Sequence, residues 1–412
     1  MSIVKPFQGL RPRRELAAKV AAPPYDVLDS DEAREMAKGN PLTFLHVNKP
    51  EIDLDPAIDV YDTRVYEKGA ENLRKFIADG TLLQDPEERY YIYRQIMGEH
   101  AQTGLVSIAS VDEYEQDLIK KHEFTRPVKE DDRVNHMKYL NAQVGPVFLT
   151  YKARPEIDAL IEQYCQKTPE YDFVSPDQVR HTLWLVEDPA SITKIGELFA
   201  AVDVLYVADG HHRSAAAQRV RDLKRRENPA HSGRESYNYF LVVIFPHDQM
   251  QILDYNRVVK DLHGLSPEAL LDKIREKFDV AETEAVKPDR KRCFLMYLQG
   301  IWYRLTAKPG TYDSADPVKS LDVSILQDNL LTPLLGIRDP RKDKRIDFVG
   351  GIRGLKELEK RVNSGQWEVA FALHPTSIEE LMSIADAGKV MPPKSTWFEP
   401  KLRSGLVVHL LD

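Results

Sequence analysis

The residues best suited to chemistry lie in the turn 209–214, whose sequence is Asp-Gly-His-His-Arg-Ser. An apolar run at 202–207 precedes the turn and a run of helix formers at 215–225 follows it. This pattern predicts a strand that ends at a glycine turn and opens a helix. Free N–H groups at a helix start attract anions, and a guanidinium offers a planar fork of donors for phosphate. We predict that the following residues bind the phosphates of a nucleotide: Asp209, Gly210, His211, His212, Arg213 and Ser214. A simple helix cap with incidental histidines is the alternative.

A second polar segment, residues 121–136, combines two histidines with several carboxylates and cations. Glu123 could act as a general base toward a substrate hydroxyl, and Arg133 could neutralise a transferring phosphoryl group. Asp132, Arg133 and His136 have i, i+1, i+4 spacing, which places their side chains on one helical face. The catalytic candidates are His122, Glu123, Asp132 and Arg133, and the substrate-binding candidates are Lys129 and His136. A charged surface helix explains the same residues, and both interpretations stay open.

Two proline-stiffened loops offer further contacts to a substrate. In residues 391–401, a cation and two hydroxyls come from Lys394, Ser395 and Thr396, which suits phosphate or a small polar substrate. In residues 23–26, Pro-Pro-Tyr-Asp presents the carboxylate of Asp26, which suits a substrate amine or a metal. Structural turns explain both loops equally simply.

The elements that position these residues form an α/β (α+β) pattern with mixed sheets and flanking helices. Helices are predicted at 30–38, 57–79, 155–167, 191–200, 215–225, 266–278, 322–336, 354–363 and 377–386. Strands are predicted at 89–97, 102–111, 146–151, 180–187, 202–207, 236–245, 292–298, 300–305 and 367–373, with a closing strand pair within 397–411.

The length of 412 residues exceeds what one core usually serves. We expect a nucleotide-binding N-terminal region at 1–260 and a C-terminal α+β region at 261–412 that completes a cleft. The net charge of -8 argues against nonspecific nucleic-acid binding. The two cysteines lie far apart, which indicates a reducing compartment. The sequence contains no apolar signal core and no membrane segment, so we expect a cytoplasmic protein. The expected partner is a small-molecule substrate, and whether the protein forms a homodimer stays open.

Several common functional motifs are absent from the sequence. It contains no GxxxxGK[ST] loop, no GxGxxG after a strand, no HExxH and no CxxC. Adjacent His211 and His212 are poor ligands for a single zinc, because neighbouring side chains point in different directions. The 209–214 turn is therefore the leading nucleotide candidate.

Four motifs in order resemble a prokaryotic family catalogued as domain of unknown function 1015. They are PPYDV, HExT…K..DR..H, DGHHR, and MPPKSTWFEPK followed by SGLVVHLLD, and the resemblance runs from residue 7 to residue 411. The DGHHR turn is also similar to one in the ParB/sulfiredoxin-like superfamily, which includes free-serine kinases. This resemblance implies a ParB-like core that holds the phosphates of ATP or ADP, with Mg²⁺ at Asp209.

The leading hypothesis is a phosphotransferase that phosphorylates a small hydroxylated metabolite, with free L-serine as the first candidate. One alternative is a ParB-like regulator that binds a nucleotide without transferring a phosphoryl group. Another is a metal-dependent hydrolase that would use His122, His136, His211 and His212.

Overall fold

Two units with separate cores make up the chain, and each is described by itself. In this computed structural model, residues 2–411 are described. Unit 1 contains the residues up to 121, residues 125–250 and those from 400 onward, and unit 2 contains residues 122–124 and 251–399. The expected division at 260 differs from these limits in two ways: unit 2 begins near 251, and the C-terminal segment belongs to unit 1.

The strands are β1 (Val4–Lys5), β2 (Leu10–Pro12), β3 (Leu82–Gln84), β4 (Tyr90–Met97), β5 (His100–Ser110), β6 (Ile119–Lys120), β7 (Ala142–Gln143), β8 (Val147–Tyr151), β9 (Tyr171–Val174), β10 (Val179–Val186), β11 (Leu205–Asp209), β12 (Tyr239–Pro246), β13 (Gln251–Leu253), β14 (Tyr255–Val259), β15 (Phe278–Thr283), β16 (Cys293–Leu298), β17 (Ile301–Ala307), β18 (Ile346–Gly350), β19 (Val369–Ala372), β20 (Trp397–Glu399) and β21 (His409–Leu410).

The α-helices are α1 (Ala17–Val20), α2 (Ser30–Ala37), α3 (Leu45–Asn48), α4 (Thr63–Ala78), α5 (Val111–Glu115), α6 (Pro127–Leu140), α7 (Pro155–Cys165), α8 (Pro189–Ala200), α9 (His211–Glu227), α10 (Pro267–Arg275), α11 (Asp322–Leu326), α12 (Gly354–Asn363) and α13 (Ile378–Asp386). The mixed α/β class expected from the sequence is confirmed. None of the helices within residues 2–411 is both long enough and apolar enough to cross a membrane.

The main sheet of unit 1 has the order β6-β11-β8-β12-β5-β4-β10-β9, and β1 also pairs with β5. The central strand β12 runs parallel to β8 and antiparallel to β5. Its sequence is continuously apolar, which is typical of a strand that is covered on both faces. The hairpin expected around residue 98 is confirmed as β4 and β5, which join through a Met97–His100 pair.

A second apolar cluster of unit 1 forms where α4 packs beside the first sixty residues and the C-terminal segment. The buried residues of α4 include Val65, Leu73 and Phe76, which recur at helical spacing. This helix begins at Thr63 rather than at 57, because the Asp62 side chain accepts a hydrogen bond from the N–H of Arg64 and so caps the helix there.

The main sheet of unit 2 is antiparallel throughout, with the order β15-β17-β16-β19-β14-β18. The expected hairpin near residue 300 is confirmed as β16 and β17. Its two turn residues, Gln299 and Gly300, both have positive φ (51° and 83°), as a two-residue type I′ turn requires.

Three sequence-based predictions of elements are wrong. Residues 322–336 do not form one regular helix, since α11 ends at Leu326 and continues as a π-helical segment, Gln327–Leu331. The two closing strands do not pair with each other, because β20 pairs with β13 in unit 2 and β21 pairs with β7 in unit 1. Helix α9 begins at His211 rather than at 215, so most of the predicted turn is the first turn of the helix.

Candidate functional site

A single glycine connects β11 to α9 in unit 1. Gly210 has φ 105°, a left-handed conformation that side chains with a Cβ rarely adopt. A Cβ at this position would also lie 3.2 Å from the Arg213 guanidinium. No side chain within residues 2–411 caps the start of α9. The first N–H groups of this helix are therefore of the kind that binds anions.

Arg213 lies in the first turn of α9 and is only 6% exposed. Its Nη1 donates to the carbonyl of Pro146. Its Nη2 lies 3.7 Å from Oδ1 of Asp209 and 4.0 Å from Oδ2 of Asp26. Across the described residues, its Nε has no hydrogen-bond partner. The guanidinium of Arg213 is thus held in place, and its buried Nε–H has no acceptor among the described residues.

Arg133 of α6 is the second buried guanidinium of this region. Its Nε and Nη2 donate to Oδ2 of Asp132 at 3.0 and 2.7 Å, and Tyr66 donates its hydroxyl to the other oxygen of Asp132 at 3.1 Å. The guanidinium stacks 3.7 Å from the ring centre of Tyr25. Asp132 therefore positions Arg133, because its carboxylate already accepts these hydrogen bonds.

Both arginines line one small cavity of unit 1, with a volume of about 20 Å³. The lining residues are Pro24, Tyr25, Asn48, Arg133, His136, Met137, Val144, Gly145, Arg213 and Ser404. The buried Nδ2 of Asn48 has no hydrogen-bond partner among residues 2–411. The cavity wall therefore carries two guanidinium groups and an amide donor, which together suit a small anion.

His136 is neutral at this cavity. Its Nε2 lies 2.9 Å from the carbonyl oxygen of Val47. Burial, and then the charge of Arg133, lower the pKa of His136 to about 4. Burial also raises the pKa of Tyr25 above its ordinary value, against the opposing charge of Arg133. The two arginines are thus the charged groups among the residues that line the cavity.

Asp209 forms an ion pair that sequence reasoning missed. Lys401 donates its Nζ to Oδ2 of Asp209 at 3.2 Å, across 192 residues of sequence. Burial alone would raise the pKa of Asp209, but the charges of Lys401 and then of Arg213 outweigh it, so this pKa lies well below its ordinary value. The sequence places Lys401 at the end of the proline-rich motif at 391–401, but nothing in that local pattern pairs it with Asp209.

The other residues of the 209–214 turn contribute to its structure. His211 is buried. The Nε2 of His212 accepts a hydrogen bond from the N–H of Arg126 at 3.0 Å, just before α6. Ser214 is buried and donates its hydroxyl to the carbonyl of Gly210 at 3.2 Å. The hydrogen bonds of His212 and Ser214 hold the turn and join α9 to α6.

Lys129 lies outside the cavity of unit 1, although it belongs to the same helix as Arg133. Its side chain is exposed, and its Nζ lies 5.4 Å from the ring centre of Tyr61. Asp26 does lie beside the site, as its distance to Arg213 shows.

The remaining predicted residues belong to unit 2. The carbonyl of His122 accepts a hydrogen bond from the N–H of Met391 at 2.8 Å, and Glu123 is half-buried beside it in sequence. Ser395 is buried and donates its hydroxyl to the carbonyl of Pro392. Lys394 and Thr396 flank Ser395 and are both half-buried. The assignment of these five residues to catalysis or substrate stays a prediction.

Comparisons with known proteins give one family match. A family model described as "Protein of unknown function (DUF1015)" matches residues 4–324. No curated protein matches the chain in sequence.

The similar solved structures are distant. A free serine kinase in complex with AMP is 13% identical, with 71% of this chain and 86% of that chain covered and a TM-score of 0.36. A conserved hypothetical protein from Pyrococcus furiosus is 15% identical, with coverages of 74% and 95% and a TM-score of 0.36. C-terminally truncated SbnI from Staphylococcus aureus is 13% identical, with coverages of 74% and 87% and a TM-score of 0.38. Likenesses this distant carry no argument about ligand or activity.

Proposed function

We propose, for a chain that belongs to the DUF1015 family of proteins of unknown function, that unit 1 binds the phosphate groups of ATP or ADP. One observation supports this most strongly: the unpaired donors of Arg213 and Asn48 line the same cavity. Buried donors are nearly always paired in proteins, so these unpaired donors favour a ligand rich in acceptors. Phosphate oxygens match the two guanidinium groups in charge and in geometry.

In this proposal, Arg213 and Arg133 contact phosphate oxygens directly, and the N–H groups at the start of α9 add to the positive potential. Asp132 orients Arg133. Asp209 orients Arg213 and Lys401 and is not assigned to Mg²⁺, because these two cations already balance its charge. Mg²⁺ would accompany the nucleotide through phosphate oxygens, as is common at phosphoryl-transfer sites.

We further propose that the protein is a phosphotransferase acting on a small hydroxylated metabolite, with free L-serine as the first acceptor. The bond between the terminal phosphorus and its bridging oxygen breaks, and a bond forms from phosphorus to the acceptor's hydroxyl oxygen. The hydroxyl proton passes to a carboxylate. Phosphoryl transfer depends mainly on positioning and on neutralising charge, which the two arginines supply.

Two carboxylates are candidates for accepting this proton. Asp26 lies beside Arg213 and is partly exposed, so it is within reach of a molecule bound at the cavity mouth. Glu123 is retained from the sequence prediction. The variants Asp26→Asn and Glu123→Gln distinguish them, because loss of the proton acceptor lowers kcat by about 100-fold or more while the nucleotide still binds.

A product assay tests the proposed function. The protein is incubated with ATP or ADP, Mg²⁺ and L-serine or another small hydroxylated metabolite, and products are followed by ³¹P NMR. We expect one phosphorylated acceptor per nucleotide consumed, and a much slower reaction for Arg133→Lys. Arg219→Gln is the matched control, since Arg219 is also helical but pairs at the surface with Glu130 and Asp131.

The other outcomes separate the alternative functions. Tight nucleotide binding with no product across an acceptor panel would contradict the transferase and support a nucleotide-binding regulator. Retention of near-stoichiometric metal together with hydrolysis of the nucleotide would support the metal-dependent hydrolase.

A further inference from the structure

Unit 2 contains a buried arginine without an acidic partner. Arg257 lies in β14 and is 4% exposed. Its Nη1 donates to the carbonyl of Tyr255, and its Nη2 donates to the carbonyl of Lys394 at 3.0 Å. Among the described residues, no carboxylate forms an ion pair with it. Its charge is therefore opposed only by backbone dipoles.

This arrangement is unusual within the chain itself. The other buried arginines each have at least one carboxylate within 4.0 Å, and they are Arg89, Arg133, Arg213, Arg221 and Arg403. A buried cation without a counter-charge loses solvation free energy that hydrogen bonds to carbonyls restore only in part. Burial lowers the pKa of Arg257 to about 10, so the guanidinium still carries its charge at neutral pH.

The surroundings of Arg257 are aromatic and basic. Its guanidinium carbon lies 5.4 Å from the ring centre of Phe348, and the Tyr255 ring is next to it at 5.9 Å. The Nζ of Lys394 lies 5.5 Å from the same Tyr255 ring. Lys394 has φ 60°, a left-handed conformation that is uncommon for residues other than glycine. The ammonium group of Lys394 thus lies near the same pair of aromatic rings as the guanidinium of Arg257.

We propose that Arg257 is the centre of a second anion-binding site, located in unit 2, for the carboxylate or phosphate group of a small molecule. An oxyanion would supply the counter-charge that the protein itself does not provide, through hydrogen bonds to the guanidinium. The proposal rests on residues of unit 2 alone and does not depend on the nucleotide site of unit 1. The competing explanation is that Arg257 only fastens the loop at Lys394 to β14.

Binding of radiolabelled inorganic phosphate to the full chain, measured by equilibrium dialysis, tests this proposal. We expect two phosphate ions per chain for the wild type and one for Arg257→Gln. Arg213→Gln, which alters unit 1, is expected to retain the phosphate of unit 2, so failure of one site is distinguishable from failure of the other. Arg361→Gln is the matched control, because Arg361 is a unit 2 arginine that pairs with Asp347 and Glu357.

Acetate added as a competitor shows which anion the site prefers. Displacement of the unit 2 phosphate by acetate indicates a carboxylate ligand, and resistance to acetate indicates a phosphate ligand. Either result supports an anion site.

The conservative variant Arg257→Lys distinguishes anion binding from a role in which Arg257 only holds the Lys394 loop against β14. If Arg257→Gln does not fold, Arg257→Lys keeps the charge but loses the planar fork, and we expect about tenfold weaker phosphate binding in unit 2. Unchanged phosphate stoichiometry and affinity in a folded Arg257 variant would overturn the proposal and leave only the fastening role. A wild type that binds neither phosphate nor acetate in unit 2 would overturn it as well.

Discussion

The distance between a buried arginine and the nearby carboxylates determines how many of its N–H groups are left without a hydrogen-bond acceptor. Arg133 is bound closely by Asp132, at 2.7 Å, whereas the carboxylates near Arg213 lie at 3.7 and 4.0 Å. The longer distances orient the Arg213 guanidinium without satisfying its donors, and its Nε stays unpaired within residues 2–411. In the proposed function, this Nε is the donor to which a phosphate oxygen would bind.

Gly210→Ala tests the geometry of the turn at the level of one methyl group. The left-handed φ and the 3.2 Å approach to Arg213 both disfavour a Cβ, so we expect about tenfold weaker ADP binding. Isothermal titration measures the effect. Gly233→Ala is the control, since Gly233 has φ 83° but no atom within 4 Å of its added Cβ. Equal ADP affinities for the two variants would show that the conformation of Gly210 and its approach to Arg213 do not affect ADP binding.

The residues of the site differ in how well sequence could predict them. The 209–214 turn could be predicted from sequence, because a strand, a glycine and a helix start each give a local sequence signal. Lys401 and Asn48 were not, because their places depend on contacts made across many residues and neither lies in a local pattern that requires it. Asp132 is a catalytic candidate from sequence and a partner of Arg133 in the structure, because spacing shows which residues share a helical face but not which of them bind each other.

The C-terminal segment from residue 400 packs within unit 1 and contributes to its stability. Val408 pairs with Leu10, Ser404 pairs with Ala22, and Lys401 reaches Asp209. These contacts tie the segment to the N-terminal strands and to the end of β11. Their proximity in sequence predicts that the two closing strands pair with each other. The structure pairs each with a distant strand instead, because strand pairing depends on long-range contacts that local patterns do not show.

Val408→Ala measures how much this segment contributes. Val408 is fully buried in the cluster beside α4, so we expect its truncation to lower the free energy of unfolding by about 2 kcal/mol. Val174→Ala removes the same atoms from a residue that is 58% exposed, and its effect should stay within about 0.5 kcal/mol. Urea unfolding compares the two variants, and similar values for both would show that the segment adds little to unit 1.

The chain leaves unit 1 near residue 250 and returns to it at residue 400. Composition and length indicated two regions, and alternating helices and strands indicated the fold class. The return was not predictable from either signal, because a discontinuous unit is defined by long-range contacts. A boundary placed by sequence order alone groups the residues from 400 onward with those after 260, whereas these residues pack within unit 1.

Buried neutral histidines make the stability of the protein depend on pH. Burial, and then nearby arginine charge, lower the pKa of His136 to about 4 and that of His181 to about 3. An unfolded histidine titrates near 6.5. Below that pH the unfolded chain binds protons that the folded chain does not, so the free energy of unfolding falls as pH falls from about 6.5 toward 4.

His136→Gln tests this dependence, because its amide N–H can still donate to Val47. Between about pH 7.5 and about pH 5, we expect this variant to lose about 2 kcal/mol less stability than the wild type. His263→Gln, at an exposed position, should keep the pH dependence of the wild type. Urea unfolding at the two pH values provides the comparison, and parallel losses in wild type and His136→Gln would show that His136 is not buried as a neutral ring.

Calorimetric titration with ADP and with adenosine tests the proposal that unit 1 recognises phosphate through Arg213. We predict that ADP binds the wild type, that adenosine binds about 100-fold more weakly, and that Arg213→Gln weakens ADP binding by at least about tenfold. Arg219→Gln on the same helix should bind ADP as the wild type does. Equal binding of ADP and adenosine, or unchanged ADP affinity in a folded Arg213→Gln variant, would contradict the account.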